Sequence, residues 1–291
     1  MPPKAMRKWL EGCYIKADGS NLVDLSHDWH ERMTQPAFFP PMIHEGFDTI
    51  EKDGVLSFYN HLLESCGTHC EAPAHVLSDA PTIEKIPLSW LIGPAAVINI
   101  RDKCQMNADY KLSVSDLNNW EMQYDRIPDH SWLIMCSGWT DRWDTPAFFN
   151  TDNDLKDHYP GFDPAAMRWL VENSRHIIGI ATECMSPEGG SAARALEPSV
   201  KMNTTAKTWE RDKLQGTLPV ENKTRPGRRP AIPVRNELLP IWNTLVISNM
   251  ANVSKLPETG AWIIVGVIPF RGGSAGQARV FGVLPVKRDS S

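Results

Sequence analysis

Residues 91–100 read Leu-Ile-Gly-Pro-Ala-Ala-Val-Ile-Asn-Ile, a run with no charged residue in which Asn99 is the single polar side chain. Side chains alternate across a strand, so a segment apolar at consecutive positions belongs to a strand buried on both faces. Such a strand needs a covering layer on each side of its sheet. The pattern predicts further strands at 22–27, 55–62, 132–139, within 176–188, and at 244–248, 261–270 and 278–284. Two stretches carry the helical period instead. Leu117, Trp120 and Tyr124 follow a cap at Ser113 or Ser115, and Ala166, Leu170 and Val171 follow Asp163-Pro164, with proline at the first helical position. Strands alternating with helices argue for an α/β domain, and no repeat or linker divides it.

Composition limits what such a domain does. The 291 residues are 42% hydrophobic and 22% charged, the balance of an ordinary globule. Thirty Lys and Arg against 35 Asp and Glu give a net charge of −5, which excludes the overall basic face of a nucleic-acid binder. Nowhere do about 18 apolar residues run together, as a membrane-spanning helix needs. Met1–Tyr14 holds Lys4, Arg7 and Lys8 but no apolar core of a signal peptide, so the expectation is a cytoplasmic protein without a membrane partner. The six cysteines lack paired spacing and read as reduced thiols. The eleven tryptophans suit core, interface or an aromatic pocket.

Residues 1–20 read as an N-terminal extension and 21–291 as the domain. Within it, Glu188–Arg235 holds ten Lys or Arg against five Asp or Glu. Residues 189–235 are therefore expected to form a basic loop, or an arm on a partner subunit, with Arg194, Lys201 or Arg211 greeting an anionic substrate as the functional alternative. Arg271-Gly-Gly-Ser-Ala-Gly276 has neither the spacing of a phosphate loop nor a helix after it, and reads as a hairpin connection.

The chemistry concentrates in Glu64-Ser-Cys-Gly-Thr-His-Cys-Glu-Ala-Pro-Ala-His75. As a strand from its start, this stretch would put Ser65, Gly67, His69 and Glu71 on one face and Cys70 on the other. Gly67 would admit a ligand or another chain to the backbone. Pro73 would end the ladder, leaving His75 free to turn back over it. Each residue also has a bland reading, as a satisfied core histidine or a small apolar cysteine.

The stretch resembles the H-x-G-T-H-x-D-x-P-x-H signature of the cyclase family that includes bacterial kynurenine formamidases and isatin hydrolases. Gly67, Thr68, His69, Pro73 and His75 match, while Ser65 replaces the first His and Glu71 the Asp. Asp24-Leu-Ser-His27 and Leu91–Ile100 resemble further family segments. Ser137-Gly-Trp139 is similar to its T-G-W, and Gly179–Glu188 to its G-I-G-x-D-T-x-S-x-D, with Glu183 and Glu188 at the acidic positions. The resemblance spans roughly residues 24–285. It implies the swivelling β/β/α fold in a single domain and an oligomer, a homodimer or homotetramer. It also implies that the first two His and the Asp bind a divalent metal and that the last His is a general acid/base. A distal His and a Glu complete a two-metal site in the kynurenine formamidases. Asn236 and Ser248 stand at those two places, with Asn249 matching the Asn after the Glu.

Ser65, Asn236 and Ser248 are neutral groups that hold Zn²⁺ or Mn²⁺ poorly beside imidazole or carboxylate. The expectation is a site without metal, whose one carboxylate is balanced by two imidazoles; one divalent metal on His69 and Glu71 is the alternative. His75 is then the acid/base, Glu71 and His69 its partners, and Ser65, Thr68, His27, Trp29, Ser248 and Asn249 the candidate contacts to a small-molecule substrate. Cys66 or Cys70 offers a nucleophilic alternative. The expected activity is hydrolysis of a small cyclic or aromatic amide, lactam or ester. A metal-free cyclase, dehydratase or isomerase of a biosynthetic pathway, or an inactive binding protein, stand as alternatives.

Overall fold

A computed structural model describes residues 14–37, 39–190, 234, 237 and 244–286. The basic segment is described only at Gly189, Gly190 and Val234, so Arg194, Lys201 and Arg211 lie outside the described residues, as does Asn236. Among the described residues no helix is long and apolar enough to cross a membrane.

In chain order the elements are β1 (Leu22–Asp24), β2 (Ile43–Asp48), α1 (Ile50–Asp53), β3 (Ser57–His61), β4 (His69–Glu71), β5 (Ile92–Asn99), α2 (Arg101–Met106), β6 (Lys111–Leu112) and α3 (Val114–Tyr124). They continue with β7 (Trp132–Cys136), β8 (Gly161–Phe162), α4 (Pro164–Glu172), β9 (Gly179–Thr182), β10 (Leu245–Ser248), β11 (Trp262–Val267) and β12 (Ala275–Val283). Seven strands form a ring in the order β12-β11-β5-β7-β9-β10-β4, and β4 closes it by pairing with β12 as well as β10. Strands β5, β7, β9 and β10 run parallel, while β4, β11 and β12 join antiparallel. Strand β1 lies along β12 outside the ring, and β2 and β3 form a separate hairpin. The result is a single α/β domain, as the sequence implies, with its main sheet closed into a barrel, which the sequence does not announce.

The double burial of β5 has a direct cause. Ala95 and Val97 face the barrel interior, where residues from all seven strands meet, among them Cys70, Trp132, Ile134, Ala181, Ile247, Ile263 and Val280. Ala96 and Ile98 face outward, into a second core capped by Leu117 and Trp120 of α3 and by Ala166, Met167 and Leu170 of α4. Each such side chain removed from water contributes ~1.5–3 kcal/mol. Both helices start where their caps say. The Ser113 backbone N–H donates to Asp116 Oδ2 at 2.7 Å and the Asp116 N–H returns to Ser113 Oγ, a complete capping box. Asp163 accepts from the Ala165 N–H ahead of α4.

Trp132, the largest interior side chain, fits because β9 opens on a glycine. A Cβ on Gly179 would stand 2.4 Å from the Trp132 ring.

Two expectations need correction. The active stretch is not a strand from its start: β4 is three residues long, and residues 64–68 form turns and bends. Gly67 adopts φ 59°, the left-handed region, so Ser65 and Gly67 do not share the face of His69 and Glu71. The glycine-rich connection is a hairpin turn as expected, but Ala275 and Gly276 already pair with β4.

Candidate active site

Strand β4 is wedged between β10 and β12, which places His69 beside Ser248 on one side and Gln277 on the other, and Glu71 beside Val246 and Ala275. Directly opposed residues share a face, so His69, Glu71, Ser248 and Gln277 point out of the barrel while Cys70 fills its interior. His69 is fully buried and Glu71 nearly so.

The turn before β4 sets the histidine. The Gly67 carbonyl accepts from His69 Nδ1 at 2.9 Å and from Asn249 Nδ2 at 2.8 Å. A carbonyl only accepts, so Nδ1 carries the hydrogen and the ring directs Nε2 at Glu71 Oε1, 3.4 Å away. The indole of Trp29 fills the space beside Gly67, and a Cβ there would lie 2.0 Å from its Nε1.

Past β4, Pro73–His75 make a 3-10 turn that brings His75 back over the strand. Its Nε2 is 3.8 Å from Glu71 Oε1, too long for a direct hydrogen bond. Its Nδ1 lies 3.0 Å from Ser274 Oγ, and that hydroxyl donates to Glu64. His69, Glu71 and His75 thus form one cluster with the carboxylate between two imidazoles.

The other sequence candidates divide. Ser248 Oγ and Asn249 Oδ1 are buried without a hydrogen-bond partner beside the cluster. Trp29 Nε1 is likewise unpartnered. The Thr68 hydroxyl, a candidate oxyanion donor, donates to the Asn249 carbonyl at 2.6 Å and accepts from the His27 N–H at 3.0 Å. Its proton is committed to the fold, and Thr68 is removed from the substrate contacts. Ser65 sits half-buried in the turn, one position after Glu64. His27 stacks on Trp143 with ring centroids 4.1 Å apart and meets Thr140 Oγ1 at 3.3 Å. Burial pushes its imidazole down to about 4, so it is neutral near pH 7.

Residues that sequence reasoning passed over complete the site. Glu64 and Ser274 hold His75, and Gln277 flanks His69 while donating to the Leu63 carbonyl at 2.6 Å. Ser274 and Gln277 lie some two hundred residues from the motif and carry no local signal. The cysteine alternative fails on electrostatics, because burial pushes the Cys66 and Cys70 thiols up, away from the thiolate a nucleophile needs. Glu183 is structural. One of its oxygens accepts from Ser137 N–H and Oγ–H and from Gly138 N–H at 2.6–2.8 Å, fixing the turn after β7. Glu188 accepts from the Val234 N–H.

The metal that the resemblance implies finds an incomplete donor set. His69 Nε2 and Glu71 are proper ligands, but Ser65 is in a turn, and Ser248 offers a neutral hydroxyl. Among the described residues no three His, Cys, Asp or Glu are grouped to hold an ion. A catalytic site ordinarily needs three such ligands. The described residues do not fit a two-metal centre.

A closed seven-stranded barrel carrying this Gly-Thr-His-x-Glu-x-Pro-x-His stretch at its seam defines a cyclase-type enzyme, and the Cyclase family model matches residues 23–189: the chain belongs to that family. Isatin hydrolase of Roseibium aggregatum is 26% identical over 243 residues, 81% of this chain and 78% of that protein. Isatin hydrolase A from Labrenzia aggregata, solved with benzyl benzoate, superposes with a TM-score of 0.73 at 24% identity, over 97% of this chain and 100% of that one. An isatin hydrolase bound to the product analogue thioisatinate gives 0.73 at 22%, over 98% and 100%. A structure described as a potential metal-dependent hydrolase with cyclase activity gives 0.58 at 16%, over 90% and 96%. The chain is an enzyme of this hydrolase and cyclase group.

Proposed function

We propose that the enzyme hydrolyses a small cyclic or aromatic amide, lactam or ester by acid/base catalysis without a metal. The observation that carries this reading is the contact of His69 Nε2 with Glu71 Oε1. With Nδ1–H given to the Gly67 carbonyl, a neutral His69 would face the carboxylate lone pair to lone pair at 3.4 Å. Something positive belongs between them, and one proton suffices, giving an imidazolium–carboxylate pair in a nearly dry setting.

The steps follow from the lone pairs. His75 Nε2, free of a direct hydrogen bond, takes a proton from water as the water oxygen attacks the substrate carbonyl carbon. The Ser248 hydroxyl, buried and unpartnered, donates to the developing oxyanion. The tetrahedral intermediate collapses by breaking the C–N or C–O bond, and His75 returns its proton to the leaving group. His69 and Glu71 supply fixed charge beside the reacting carbon. His27, Trp29 and Asn249 are the proposed contacts to the bound substrate. The names of the relatives support an aromatic lactam such as isatin as the first substrate to try.

The same contact favours a second reading, in which His69 and Glu71 would hold one divalent ion (Zn or Mn) that would polarise the substrate carbonyl, since donation of Nδ1–H to a carbonyl is how ligating histidines are held. Elemental analysis of the purified enzyme, with turnover of isatin and of aryl esters in chelator and in ¹⁸O-water, separates the readings. Metal-free protein that incorporates solvent oxygen supports the proposal. A stoichiometric metal needed for turnover overturns the metal-free part, conversion without ¹⁸O points to ring closure, dehydration or isomerisation, and binding without conversion leaves a binding protein.

A further inference from the structure

The hairpin connection between β11 and β12, which sequence reasoning left without a role, delivers Ser274 to the back of His75. We infer that Glu64 and Ser274 are positioning residues that fix the tautomer and aim of the His75 ring; this rests on the acid/base reading of His75 above.

Hydrogen-bond direction decides the matter. The Ser274 hydroxyl gives its single proton to Glu64 Oε1. Its oxygen can then only accept along the 3.0 Å line to His75 Nδ1, so that nitrogen carries the hydrogen. In the neutral ring the lone pair is forced onto Nε2, which at 3.8 Å makes no direct hydrogen bond to Glu71 Oε1, the oxygen whose nearer partner is the proton read above on His69. A carboxylate thus sets an imidazole through an intervening hydroxyl, in the role that a direct carboxylate–imidazole bond serves elsewhere.

The relay is anchored independently of its hydroxyl. The Ser274 backbone N–H lies 3.2 Å from both Glu64 oxygens, and the Ser274 carbonyl accepts from the Ala72 N–H at 2.9 Å. Gly273 leaves room for the carboxylate, since a Cβ there would approach Glu64 Oε2 to 3.0 Å. Removing only the hydroxyl therefore keeps Glu64 and the loop in place while cutting the link to the ring.

The test reads the ring itself and needs no substrate. Nitrogen-15 NMR of the full chain, with the His75 signals assigned by their loss in His75→Gln, is recorded where the ring is neutral, for wild type, Ser274→Ala, Ser274→Thr and Glu64→Gln. The expected result is Nδ1–H in wild type, a shift toward Nε2–H in Ser274→Ala and Glu64→Gln, and restoration in Ser274→Thr. Turnover of 4-nitrophenyl acetate is expected to fall roughly 10- to 100-fold in kcat in Ser274→Ala with KM within about twofold. Nε2–H in wild type overturns the inference without any variant having to fold, and so does a Ser274→Ala ring indistinguishable from wild type. Failure of the acid/base reading looks different: His75→Gln keeps its turnover while the tautomer results stand.

Discussion

Gly67→Ala joins the fold to the site in one methyl group. The residue holds φ 59°, where an alanine costs about 1–2 kcal/mol in backbone strain. The new Cβ would also stand 2.0 Å from Trp29 Nε1 and 2.2 Å from Cδ1, atoms of a rigid ring that must move bodily. Overpacking of that kind costs about 1–3 kcal/mol. The sum, about 3 kcal/mol, corresponds to a fall of roughly 6–12 °C in Tm for a domain of this size. Calorimetry or urea unfolding of Gly67→Ala in wild-type and Trp29→Ala backgrounds separates the two parts. The loss should shrink to the backbone part, about 1–2 kcal/mol, once the indole is gone. A loss below about 1 kcal/mol in the wild-type background, or equal losses in both, would refute the reasoning. Because the Gly67 carbonyl receives His69 Nδ1–H, the same substitution should lower kcat beyond what stability explains.

Other consequences are open to measurement. His27, held down at about 4 against an unfolded value of about 6.5, is neutral in the fold, so the unfolded chain binds the extra proton between those values and stability falls as pH drops from 6.5 to 4. After allowance for the exposed part of the ring this is about 2 kcal/mol, to be seen as the extra loss of wild type over His27→Phe in urea midpoints at pH 7 and pH 4; parallel losses would contradict it. Glu71→Gln leaves His69 Nε2 facing an amide in place of a carboxylate, and kcat should drop at least about 100-fold with the fold retained by circular dichroism. Ser113→Ala breaks the capping box of α3 and should cost about 1 kcal/mol in a urea melt. The hairpin β2–β3 and its connection expose Phe47, Ile50, Val55, Leu56, Phe58 and Tyr59, which fits the proposed homodimer or homotetramer. Light scattering should give a mass above one chain, reduced by Phe47→Glu with Phe58→Glu.

What the sequence discloses is what local physics controls. The double burial of β5, the caps at Ser113 and Asp163, and the turning of Cys70 away from His69 all follow from periodicity and side-chain chemistry within a few residues. The closure of the barrel does not, because β4 meets β12 about two hundred residues later and three-residue strands carry almost no pattern of their own. The left-handed turn at Gly67 was hidden because glycine permits several conformations and names none. In the site, His69, Glu71 and His75 are legible through the resemblance of their stretch to the family signature, which their spacing alone does not settle. Ser274, Gln277 and the stacking of Trp143 on His27 are products of tertiary folding, and the spending of the Thr68 hydroxyl on two backbone groups shows that a polar residue in a motif can serve the fold alone.

Strand β4 is also the stave that makes the ring a ring: without it β10 and β12 are two free edges. His69 and Glu71 of the proposed acid/base site are therefore mounted on the seam of its own container. Anything that grips His69 and Glu71 together, whether proton, cation or substrate, clamps that seam, and anything that pries them apart starts to unroll the barrel. Occupancy of the site and resistance to unrolling are one quantity, readable from the exchange rates of three backbone amides.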